Sequence, residues 1–343
     1  MHRALALLIA ALAALPAARA PAQKQLAGYL ESLKVGTPVS YKNLSIFPLI
    51  SSRYQRSFDA MTLDEASRQG VLKITELGSG NVNRVLVENT SRRHVFLMAG
   101  EMLAGCKQDR MVAGDCLLPP KSGKMELGVY CTEHGRWTSQ SGNFKSLEAS
   151  AHVRMRQVAK QSGSQQQVWD EVRSKAGALS VAPAPTEALQ SVLGDKEVAR
   201  QCAPYTRHFE RTPVLGREVV GVAVAAGDDI ICVDVFASPS LLRALWPKLL
   251  NSYVLDVIDR SQAGSRVSRR DVERMLERAC NADFGDGSTD GLGAAWSLSG
   301  RGISGSALVY GSSVVHCDIF PNAAPDPGGE DAPRLDYRRQ RNR

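Results

Sequence analysis

Among its seven cysteines and six histidines the 343-residue chain has no CxxC pair, no HxH pair and no HExxH. The usual spacings of zinc sites and metalloproteases are therefore missing, and no metal and no cofactor is expected. The glycine-rich "GSGNVN" at 78–83 is not followed by a helix signal, as a phosphate-binding loop would need, and it reads as a hairpin turn. "GDGSTDG" at 285–291 offers oxygen ligands but no twelve-residue calcium loop ending in glutamate. Beyond residue 22 no apolar run approaches the roughly 20 residues a membrane helix needs.

The first apolar run is "ALALLIAALAALPAA", preceded by Arg3 and followed by small residues. That is the layout of a secretory signal peptide over residues 1–22. Cleavage after Ala22 keeps Ala20 and Ala22 in the small positions, whereas cleavage after Ala20 would put Pro21 at the scissile bond. The mature chain is expected to be exported, to the periplasm or beyond, and soluble. Loss of two arginines takes the formal charge from +7 to 7 − 2 = +5. The remaining basic residues are scattered apart from the terminal "RRQRNR", so nucleic acid is not an expected partner. Residues 321–343, rich in proline, glycine and charge, read as a disordered basic tail.

Export gives the cysteines meaning, because an oxidising compartment lets thiols pair. Cys106, Cys116, Cys131, Cys202, Cys232, Cys280 and Cys317 are odd in number, so at least one has no internal partner. A chain of this length buries enough core without staples, so disulfides are permitted rather than required.

Between the ends the pattern is α+β, one unit over 23–320. Residues 35–137 alternate strand-length apolar runs with turn signals, interrupted by a helix at "TLDEASRQG" with Thr62 and Glu65 spaced as a capping box. Residues 145–203 carry helical spacing, with Thr186 placed to cap a short helix. From 214 to 320 strands return around a long amphipathic helix that starts at Ser238 and Pro239, and "SRRDVERMLERAC" gives another helix. The expectation is an antiparallel β-rich core in two parts, joined by a helical middle segment.

One stretch looks least like scaffolding. In "ELGVYCTEHGRW" strand alternation puts Leu127, Val129, Cys131 and Glu133 on one face. "VFLMAGE" likewise ends an apolar face (Val95, Leu97, Ala99) in Glu101. Buried carboxylates need partners, and Arg110 and Arg136 are the nearest in sequence. Glu101, Gln108, Arg110, Glu133, Arg136 and Trp137 thus form a candidate ligand pocket, with a flat wall at Trp137. The same residues also read as an ion-pair network that fixes loops. Cys131 is a candidate nucleophile if a base reaches it, with His134 and His316 as the bases to consider. Glu101 and Glu133 are the candidate acid/base pair.

These residues resemble a known family. Gly100-Glu101, then Lys107-Gln108-x-Arg110, then Cys131-x-Glu133 and Arg136-Trp137 are similar to the recurring pattern of the ARG- and rhodanese-phosphatase-superfamily-associated protein domain. "VDVFASPSLLRALWPKLLNSYVLDVI" resembles its C-terminal part, so the likeness spans roughly 40 to 320. Asp109 and Cys106 depart from the pattern. The family's association with ADP-ribosylglycohydrolases implies a ligand bearing phosphate or ribose, although export argues against intracellular ADP-ribose. Three readings follow: a binder of a small polar or anionic ligand or protein partner, a hydrolase of a nucleotide-like or phosphorylated compound with Glu101 or Glu133 as general base, and an envelope interaction protein.

Overall fold

The computed structural model describes residues 15–54, 58–182, 185–260 and 264–322. The first fourteen residues of the expected signal segment, and residues 323–343 of the expected tail, lie outside them. Helix α1 (Leu15–Glu31) runs through the expected cleavage point.

A nine-stranded antiparallel sheet forms the base of the fold. Its order is β1 (Lys34–Val35), β3 (Leu44–Ile50), β13 (Val219–Ala226), β14 (Asp229–Phe236), β18 (Ser313–Pro321), β17 (Ile303–Tyr310), β16 (Ala294–Gly300) and β15 (Asp283–Asp286), with β2 (Val39–Tyr41) also paired to β3. The architecture is α+β and built on antiparallel sheets, as expected. Strands from residues 34–50 join the C-terminal sheet, because β3 pairs along its whole length with β13. β13, "VVGVAVAA", is buried at every position, which suits a strand covered on both faces. Leu26, Tyr29 and Leu30 of α1 and Val272, Met275 and Leu276 of α8 (Arg269–Cys280) pack on one face. On the other lie Tyr205 and Phe209 of α6 (Lys196–Arg211) and the leucines of α7 (Pro239–Leu255).

A six-stranded antiparallel sheet holds β12 (Phe144–Ser150), β8 (Glu101–Gly105), β9 (Arg110–Val112), β11 (Gly123–Cys131), β6 (Arg84–Asn89) and β5 (Leu72–Glu76). Three more strands, β10 (Cys116–Leu118), β7 (His94–Leu97) and β4 (Ala60–Thr62), make a small sheet in which β4 and β7 run parallel. Thr62 caps α2 (Leu63–Arg68) through the expected capping box with Glu65. The helical middle contains α3 (Val153–Ser162), α4 (Gln165–Ala178), α5 (Leu189–Leu193) and α6.

Some expectations fail for physical reasons. Residues 144–150 pair with β8 and are strand rather than helix. The short helix α5 is capped at Ala188, not Thr186. α7 shows water only a narrow stripe, and its buried face includes Lys248 and Ser252 beside the leucines, so polarity does not divide it into two faces. "VFLMAGE" is not one strand. Gly100 turns the chain at φ +95°, where a side chain would also strike that of Arg156, so Glu101 begins a strand of another sheet. All seven cysteines are free.

Candidate functional site

Arg110 on β9 stands directly opposite Cys131 on β11. Cys131 ends its strand, and the Gln165 side chain from α4 takes over the ladder: Oε1 accepts from the Cys131 N–H and Nε2 donates to its carbonyl, both at 2.8 Å. The next residues form a loop tied to segment 186–189, with a β-bridge between Glu133 and Ala188 and a bond from Gly135 N–H to Thr186 O at 3.0 Å.

Arg136 is the knot of that loop. Its Nε donates to both oxygens of Glu133 at 2.9 Å, Nη1 to the Cys106 and Thr138 carbonyls, and Nη2 to Asp109 at 3.3 Å. Glu133 Oε2 also accepts the Asp109 main-chain N–H at 3.1 Å. Burial raises the Asp109 carboxyl above its ordinary range. Every nitrogen of Arg136 and both oxygens of Glu133 are engaged, so this pair fixes the loop.

Arg110 differs. It is fully buried, yet only Nη1 is served, by the Gln108 carbonyl at 3.1 Å and Gln108 Oε1 at 3.3 Å. Nε and Nη2 have no hydrogen-bond partner, and neither does Oε2 of Glu76, whose Oε1 lies 3.9 Å from Nη2 and accepts the Lys107 N–H at 3.1 Å. An unsatisfied buried polar atom costs about 1–3 kcal/mol, and three converge here. Nε and Nη2 together form the side-on fork by which arginine grips planar acceptors. Phe144 and Trp137 each place a ring centroid 5.9 Å from the guanidinium carbon. Trp137 is 46 % exposed and is touched from outside by the Lys107 ammonium at 5.0 Å. The other large apolar side chain exposed among the described residues, Val82, sits on the neighbouring loop, and its carbonyl accepts from the Cys131 thiol at 3.3 Å.

That constellation carries the pattern on which the resemblance rests, and a sequence profile decides the matter: the ARG and Rhodanese-Phosphatase-superfamily-associated Protein domain, ARPP-1, matches residues 32–320. The chain belongs to the ARPP-1 family. No curated protein and no solved structure matches it.

Among the described residues of this ARPP-1 domain, neither His134 nor His316 has a hydrogen bond to the candidate nucleophile Cys131. Burial pushes the Cys131 thiol up to about 11, against the pull of Arg110. His134 instead packs edge-on against Trp169 at 4.4 Å, with Glu187 at 3.7 Å, and His316 lies in another cluster. Iodoacetamide should therefore leave Cys131 unlabelled in the folded chain below pH 8 and label it once the chain is unfolded. Fast labelling of the Cys131 peptide at neutral pH would restore the nucleophile.

Glu101 is not brought to Arg110 or Glu133 and shares no hydrogen-bond or ion-pair partner with either. It accepts the Met98 N–H at 2.7 Å and pairs with Lys248, which also holds Asp64 at 2.5 Å. Burial raises its carboxyl, with Lys248 opposing. No helix among the described residues is long and apolar enough to cross a membrane.

A second buried cluster joins acids on apolar strands. Asp234 takes both arms of Arg156 at 3.0 and 2.9 Å and the Tyr253 hydroxyl at 2.6 Å. His316 lies between Asp115 at 2.7 Å and Asp234 at 3.4 Å, and Lys160 bonds Asp318 and Ser306. Asp234, His316 and Asp318 bring ligand atoms within 4.8 Å of one another, as a metal site would. Their charges are already answered, however: three carboxylates face Arg156, Lys160 and His316. Burial opposes ionisation of Asp234, but Arg156 and His316 hold it well below the usual carboxylate range. For a cation to enter, Arg156 or Lys160 would have to leave.

A cleft of about 700 Å³ lies elsewhere, between α3, α8 and the β13–β14 turn. Arg266, Arg274 and Arg260 on its rim sit against Asp228, Asp271 and Asp229. None of its lining residues carries a buried polar atom without a partner. Size favours this cleft, but unmet bonding capacity favours Arg110, and the latter is the stronger sign of a missing ligand.

Proposed function

We propose that the protein is exported and binds a small polar ligand at Arg110, with Trp137 as a roof and Gln108, Glu133 and Arg136 holding the loop. The observation that carries this is the unpartnered Nε–Nη2 edge of a fully buried guanidinium, beneath an indole that makes no hydrogen bond among the described residues. A fixed guanidinium edge is a ready receptor for a planar acceptor and needs no reorganisation of its own. The exposed rings and aliphatics of the loops at 82 and 137 add an apolar rim, the usual make-up of a small-molecule site. The hydrolase reading has less behind it, since both oxygens of Glu133 and of Glu101 are already engaged.

Calorimetric titration of the mature chain with acetate, inorganic phosphate, uracil and hypoxanthine tests the reading. At least one compound should bind, and Arg110→Lys should weaken it about tenfold or more, because lysine keeps the charge but has no fork. Trp137→Ala should weaken the same compound less. Equal affinity in the lysine variant, or no binding by any compound, would overturn the proposal.

A further inference from the structure

Resting on that binding reading, we infer that the ligand is uncharged and planar, presenting a hydrogen-bond acceptor beside a donor: the edge of a lactam, an imide or a primary amide. The site supplies two donors and one acceptor without partners, Nε and Nη2 of Arg110 and Oε2 of Glu76. An acceptor alone, such as a carboxylate or phosphate oxygen, satisfies the fork and leaves Glu76 Oε2 unmet. It also sets a second negative charge beside Glu76, whose nearer oxygen is 3.9 Å from the fork, in a buried place where like charges repel strongly.

The local charge balance points the same way. Arg136 already answers Glu133 and Asp109, one cation to two carboxylates, and Lys107 lies outside over Trp137, so Arg110 faces Glu76 with no buried cation to spare for an anionic guest. That pair is neutral, and a neutral guest keeps it so. An edge with C=O next to N–H places its oxygen on the fork and its N–H on Glu76. Both bonds are then charge-assisted, and no buried charge is added. Planarity follows from the guanidinium fork itself, whose two N–H groups lie in one plane and match coplanar acceptors, with two rings at 5.9 Å from its central carbon.

Glu76 was not among the residues singled out from the sequence, and it makes the inference decidable by sign. The measurement is calorimetry on the mature chain and on its Glu76→Gln variant, with uracil, hypoxanthine, 1,3-dimethyluracil, acetate and inorganic phosphate. Uracil or hypoxanthine should bind, 1,3-dimethyluracil should not because its donors are blocked, and Glu76→Gln should weaken binding about tenfold. If acetate or phosphate binds instead and Glu76→Gln tightens it, the binding reading stands and the inference is wrong. If uracil binds with equal affinity in the variant, the inference is again wrong. If no compound binds, Arg110 and Glu76 are a loose ion pair and both readings fall.

Discussion

Asp234→Asn should lower the unfolding free energy of the protein by about 3–5 kcal/mol, the cost of removing one partner from a buried ion pair. The change keeps the shape of the side chain and deletes its charge. Arg156 is fully buried, with both terminal nitrogens on Asp234, and no water can replace the lost carboxylate. His316 bonds one oxygen of Asp234 and the Tyr253 hydroxyl the other, so whichever oxygen becomes the amide nitrogen, one of them loses its acceptor together with one arm of Arg156. The asparagine amide would also point a donor at groups that are themselves donors. Urea unfolding followed by tryptophan fluorescence gives the number, and a loss under about 1 kcal/mol would mean the network is not a keystone. Asp228→Asn is the control. Its pairing with Arg266 is exposed on both sides, so its midpoint should not move. The prediction concerns the joint of the fold, because Asp234 and His316 come from the large sheet, Arg156 from α3 and Asp115 from the turn before β10.

Why this joint was hard to read in the sequence is plain from its members. Asp115, Asp234 and His316 are separated by 82 to 201 residues, and no local pattern links them. The one signal was a charged residue inside an otherwise aliphatic strand, Asp234 in "IICVDVF" and His316 with Asp318 in "VVHCDIF". A buried charge demands an opposite one, but the sequence does not say which arginine answers. Elements set by local periodicity were legible: the capping box at Thr62, the helix of "SRRDVERMLERAC", the turn at Gly227 and the strands of "REVVGVAVAAGDDIICVDVF". "FKSLEAS" was not, since its helix formers are overridden by pairing with β8 at the edge of the sheet. At the candidate site, spacing gathered Gln108, Arg110, Glu133, Arg136 and Trp137 but could not tell a saturated arginine from an unsaturated one. Glu76 was missed because it ends a plain-looking strand, "LKITE", and is joined to Arg110 only in space.

Stability should also fall between about pH 6.5 and pH 9, by an amount on the order of 3 kcal/mol. The group responsible is His316. Burial alone would favour its neutral form, but Asp115 and Asp234 on its two nitrogens, with Asp318 nearby, raise it to about 9. Lys160 and Arg156 face the same space and oppose protonation, while the ring stacks on Phe236 at 4.6 Å. Since the folded value lies above the ordinary 6.5, the folded state binds the proton more tightly than the unfolded one. The stabilisation is whole below about 6.5 and disappears as pH rises through 9. Other shifted groups work in other windows. The thiols of Cys131, Cys202 and Cys280, raised to about 11, and that of Cys116, raised to about 12, start from 9.0 and act above it. Asp115 and Asp234 are held low, so their contribution is lost only in acid. Urea midpoints measured at half-unit steps from pH 6 to 9.5 should therefore slope downward in the protein. His316→Asn should be less stable at pH 6 and nearly flat across the same range. A flat profile in the unaltered chain would mean that His316 is neutral when folded. The cluster would then carry three carboxylates against two cations, Arg156 and Lys160.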